Sequence, residues 1–121
     1  MNTESSLLDT NWNDLIEYVS NHFGREGKLD MQAILFLIGI NELGQGYRDF
    51  SKTEKLDLLH IALCKLLSRY NYFEYLGRGS DGWPSWKSVH SAPKLTPSEQ
   101  ELLLKESIII YFETAQIDYK Q

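Results

Sequence analysis

The chain has 121 residues, 42% of them hydrophobic and 24% charged, which is enough to bury a hydrophobic core and too apolar for a disordered chain. Lys and Arg total 12 against 17 Asp and Glu, a net charge of −5, which works against nonspecific nucleic-acid binding, whose affinity comes from cations displacing counterions on phosphates. Cys64 is the only cysteine, so no disulfide can form within the chain, and no apolar run approaches the roughly 20 residues that span a bilayer.

The opening MNTESSLLDTNWND has neither a basic leader region nor an export-length apolar stretch. The expectation is therefore one cytoplasmic domain over 1–121, without nucleic-acid or membrane partners, with flexible ends at 1–9 and 117–121. Charge is unevenly placed. Residues 1–23 hold Glu4, Asp9, Asp14 and Glu17 and no Lys or Arg, whereas Lys52, Lys55, Lys65 and Arg69 outnumber Glu54 and Asp57 between 51 and 70.

Four stretches have helical periodicity. In the first, about Asn11 to Phe23, Trp12, Leu15, Ile16, Val19 and Phe23 share one stripe. Thr10 or Asn11 can cap its start, Gly24 supplies a stop, and Gly27 keeps the following residues in a loop. The second runs from Asp30, a candidate N-cap, to Leu43, with Gly44 where a left-handed residue would end it. Its sequence MQAILFLIGINEL is apolar nearly all round, so several faces need covering. Gly39 in its middle costs helix propensity of roughly 1 kcal/mol against Ala and marks a close approach by another helix.

The third helix opens on Ser51-Lys52-Thr53-Glu54, a capping-box sequence. Leu56, Leu59, His60, Leu63, Leu66, Leu67 and Tyr70 then recur at helical spacing, and the helix should end near Tyr70 or Asn71. Tyr72 to Leu76 can be read as continuing helix or as a short strand. A second capping box, Thr96-Pro97-Ser98-Glu99, opens the fourth helix with proline at its first position. Ile108 to Ile110 admit a strand over 107–113, but the cap upstream favours helix. Between the third and fourth helices, Gly77 to Leu95 (GRGSDGWPSWKSVHSAPKL) reads as an irregular loop. The fold class expected is thus all-α, a compact four-helix, bundle-like domain with a long Trp-containing loop.

Candidate chemistry is sparse. Gly77, Gly79 and Gly82 match G-x-G-x-x-G, but Trp83-Pro84 follows and no strand–helix alternation surrounds the match, so a dinucleotide site is rejected. His60 and Cys64, four apart, could form half of a soft metal site, and Asp57-x-x-His60 has the spacing of a carboxylate–histidine element, with Glu17, Glu42, Glu106 and Glu113 as further oxygens. The commoner meaning of both is core packing beside a solvent-facing aspartate. No metal or other cofactor is expected, and His60 and Asp57 are only weak candidates. His22 suits the end of a helix. Neither His90 with Ser88 and Ser91 nor Ser91-Ala92-Pro93-Lys94 specifies the acid or oxyanion groups a nucleophilic serine needs, and no catalytic residue is assigned.

Tyr70, Tyr72, Phe73, Tyr75, Trp83 and Trp86 fall close together. Such rings serve either as a lid on a core or as a binding surface. As a ligand or partner surface the segment would use Tyr72, Tyr75, Arg78, Trp83, Trp86, Lys87 and His90. Two functional readings follow. The first is a non-enzymatic module acting through a homo-oligomer or another protein, since two broadly apolar helices exceed what one small core needs. The second is a small-ligand-binding protein or enzyme with a pocket at residues 70–90.

Overall fold

The computed structural model describes residues 3–22, 29–90 and 94–114. Among the described residues there are four helices, α1 (Thr3–His22), α2 (Met31–Leu43), α3 (Lys52–Ser68) and α4 (Pro97–Thr114), and two strands between α3 and α4, β1 (Phe73–Arg78) and β2 (Pro84–Ser88). The strands pair antiparallel, which overturns the all-α expectation. The fold is mostly helical with a β-hairpin, and the helices pack in pairs, α1 on α4 and α2 on α3. The segment 77–95, expected to be an irregular loop, contributes the end of β1 and the whole of β2. The described residues fall into two compact units, one holding α1 and α4, the other α2, α3 and the hairpin.

In the first unit, α1 starts at Thr3 rather than near Asn11, so it takes in residues 3–9 that were expected to be a flexible end. Trp12, Leu15, Ile16 and Val19 are buried along its predicted stripe. Phe23, Gly24 and Gly27, and the expected flexible end at 117–121, lie outside the described residues. The Ser20 hydroxyl, itself buried, accepts from the Leu29 N–H at 2.9 Å, which satisfies an amide that would otherwise be buried without a partner. Helix α4 begins as its cap predicts. Thr96 Oγ1 accepts from the Glu99 N–H at 3.2 Å, and the Glu99 carboxylate accepts from the Thr96 N–H at 2.9 Å. Its Ile108, Ile109, Tyr111 and Phe112 are buried in a continuous helix, so the strand alternative for 107–113 is excluded.

In the second unit, α2 ends on Gly44, whose φ of +75° is the left-handed conformation that a Cβ disfavours. Its N–H donates to the Ile40 carbonyl at 3.1 Å. Gly39 meets the backbone of α3: a Cβ added there would lie 2.8 Å from the carbonyl carbon of Leu58 and 3.0 Å from its Cβ. The close approach inferred from the sequence is therefore made by α3. The start of α3 carries both bonds of the capping box, Ser51 N–H to Glu54 at 2.9 Å and Glu54 N–H to Ser51 at 3.1 Å.

The buried face of α3 shares only Leu66 with the predicted stripe. Leu58, Ile61, Ala62, Cys64 and Leu66 are buried, whereas Leu56 is 60% exposed and Leu59, Leu63 and Leu67 are half-buried. A leucine-rich helix offers more than one apolar stripe, and the buried one contains Leu58, which meets Gly39 of α2. After Ser68 the chain leaves the helix through Asn71, at φ +67°, a residue whose short side chain tolerates the left-handed region. Asn71 N–H donates to Ser68 at 3.0 Å and Tyr72 N–H to Leu67 at 3.4 Å, the paired bonds of a Schellman ending. The chain then enters β1, which resolves the 72–76 ambiguity in favour of strand.

Candidate functional site

The hairpin carries every residue of the predicted ligand or partner surface apart from its flanks at Tyr72 and His90. Its turn is built locally. Gly82 N–H donates to the Gly79 carbonyl at 3.0 Å, Gly79 N–H to Trp83 at 2.9 Å, and Trp83 N–H to the Asp81 side chain at 3.0 Å. Gly82 has φ +83°. The glycines of the G-x-G-x-x-G match thus lie in β1 and its turn and are followed by a strand, so no helix N-terminus faces them. Cross-strand pairs are Phe73 with Ser88, Glu74 with Lys87 and Tyr75 with Trp86. The register then shifts by one, leaving Leu76 unpaired before Gly77 with Ser85 and Arg78 with Pro84. Pro84 is the first residue of β2, where the missing N–H is tolerated.

Arg78 and Trp83 anchor the hairpin to α2 and α3. The Arg78 guanidinium donates to the carbonyls of Leu43 at 2.8 Å, Glu42 at 3.1 Å and Gly82 at 2.7 Å. Two of these acceptors are at the C-terminus of α2, where orphan carbonyls and the negative end of the helix dipole favour a cation. Arg78, one of the residues expected on a ligand or partner surface, here clamps the turn to the helix. Trp83 packs against the cluster of Leu43, Phe50 and Leu58, beside Phe36 and Ile40. Its role is that of a lid on the core.

Farther along, Tyr75 and Trp86 rings meet at 5.1 Å with a tilt of 51°, and Tyr75 is 50% exposed. Trp86 is half-buried. Its Nε1 is enclosed and, among the described residues, lacks a hydrogen-bond partner. Tyr72, half-buried, accepts through its carbonyl from Val89 N–H at 3.0 Å. Lys87 and His90 are exposed. The structure therefore brings Tyr75 and Trp86 together, diverts Arg78 and Trp83 into the architecture, and leaves Lys87 and His90 on the surface. Sequence reasoning missed Leu76, 56% exposed at the register shift, and Val89, 36% exposed just after β2. The partial signal was Asp81-Gly82 between two aromatic-rich runs, which marks a turn but sets neither the register nor the exposure of either residue.

The metal candidates are placed differently. His60 Nε2 lies 3.5 Å from Cys64 Sγ, and the His60 ring meets Phe73 edge-on at 6.4 Å. Asp57 is exposed one turn away. Among the described residues, no three His, Cys, Asp or Glu side chains come together as a metal site. Burial pushes the Cys64 thiol up to about 11, which suits a packed thiol more than a nucleophile or ligand. Of the other carboxylates considered, Glu42 lies 4.0 Å from Lys65 Nζ. His22 stacks on Tyr18 at 5.6 Å, and Ser91 to Pro93 of the S-x-x-K match lie outside the described residues.

Ahead of α3, Arg48 grips both Glu54 carboxylate oxygens at 3.3 and 2.8 Å and lies 4.4 Å above the Phe50 ring. The hydrogen bond from Arg48 leads in holding the Glu54 carboxyl down at about 2, helped by the Ser51 amide. This pair braces the loop that carries Tyr47, 76% exposed.

The class defined by these features is a mostly helical protein displaying apolar side chains on a clamped β-hairpin. No protein-family model matches the chain, and no curated protein or solved structure is significantly similar to it. No described helix is long and apolar enough to cross a membrane.

Proposed function

We propose that the chain is a non-enzymatic interaction module that associates with copies of itself or with another protein through the hairpin. The observation that carries this reading is the display of Tyr75, Leu76 and Val89, at 50%, 56% and 36% exposure, on a hairpin pinned by Arg78 and Trp83. Apolar area left in water is unfavourable by roughly 25 cal/mol per Å², and partner binding recovers it. Tyrosine on a rigid support is a common interface anchor, because little side-chain entropy is lost on docking. The apolar character of α2 adds support, since Phe36, Leu37 and Ile40 remain only half-buried.

Light scattering coupled to size exclusion tests self-association. The expected result is a mass above 14.1 kDa that rises with concentration, and a return to the monomer mass in a Tyr75→Ser, Leu76→Ser double variant of unchanged helicity. A monomer mass at every concentration would overturn self-association.

A small-ligand site at the hairpin is the second reading, favoured by the enclosed Trp86 Nε1, which has no acceptor among the described residues. An unpaired buried donor costs on the order of 1–3 kcal/mol, and a ligand carbonyl or anion would remove that cost. A fragment library screened by the Trp86 indole NMR resonance distinguishes the readings. Saturable shifts of that resonance, lost in Trp86→Phe, support a ligand site, and no shift with any fragment counts against it.

A further inference from the structure

We draw no further inference here: the strongest candidate, the half-exposed leucine stripe of α3 formed by Leu56, Leu59, Leu63 and Leu67, is an apolar helix face with nothing in the structure to show what covers it.

Discussion

Replacing Gly39 with alanine sets two known effects against each other. Alanine is favoured over glycine inside a helix by about 1 kcal/mol, so propensity alone makes Gly39→Ala stabilising. The new methyl, however, would sit 2.8 Å from the Leu58 carbonyl carbon and 3.0 Å from its Cβ, where carbon atoms prefer about 3.5–4.0 Å. The obstacle is mainly backbone, so no side-chain rotation relieves it, and α2 and α3 must part by roughly half an ångström or more. That separation loosens packing around the fully buried Leu43 and Leu58 and the Phe50 beside them. Overpacking of this kind costs about 1–3 kcal/mol, and its upper part applies where the backbone itself must move. Subtracting the propensity gain leaves a net loss of about 1–2 kcal/mol. With an unfolding entropy of about 2 cal/mol/K per residue, a chain of this length loses about 4–8 °C in Tm. Thermal unfolding followed by circular dichroism is the assay, with the exposed Gln32→Ala on the same helix as a propensity control. A Tm for Gly39→Ala equal to or above wild type would refute the close approach of the two helices.

Other consequences are testable alongside it. Arg78→Met removes three hydrogen bonds to backbone carbonyls and should cost about 2 kcal/mol, with faster amide exchange across 73–88 as its local signature; Arg78→Lys should recover only part, because an ammonium cannot reproduce the fork. Unchanged exchange in the hairpin would show that Trp83 alone holds it. Cys64 rises from 9.0 to about 11, which leaves about a hundredfold less thiolate at pH 8. Thiol labelling should therefore be at least that much slower than for a free cysteine and become rapid in denaturant, and prompt labelling of the native protein would contradict the burial. Glu54 is depressed from 4.5 to about 2, so its stabilising contribution is complete above pH 4.5 and disappears as pH falls through about 2. Glu54→Gln should flatten the acid limb of the stability profile over that window, and an identical profile would show that the Arg48 pair is not formed. Ser51→Ala, which breaks the cap of α3, should lower stability by about 1 kcal/mol in urea unfolding.

What the sequence by itself determined are the features whose partners lie within a helical turn or whose backbone demands are absolute. The capping boxes at Ser51 and Thr96 close over three residues. Gly44 is legible because its φ is positive, and Gly39 because only a close neighbour justifies a glycine amid MQAILFLIGINEL. The stripe of α1 follows from period alone. The hairpin was decided by tertiary structure, because its pairing joins residues that share no helical period and because Pro84, read in isolation, argues against a strand. Its stability also depends on clamps absent from the local sequence, since Arg78 reaches carbonyls 35 and 36 residues away. Which leucines of α3 are buried was likewise undetermined. Leu56, Leu59 and Leu63 make as regular a stripe as Leu58, Ile61 and Ala62, and the stripe that is buried is the one whose Leu58 meets Gly39 and the cluster of Leu43 and Phe50. The candidate surface changed for the same reason. Arg78 and Trp83 have the chemistry of a binding site, but the C-terminal carbonyls of α2 accept from the Arg78 guanidinium and the cluster around Leu43 packs against Trp83.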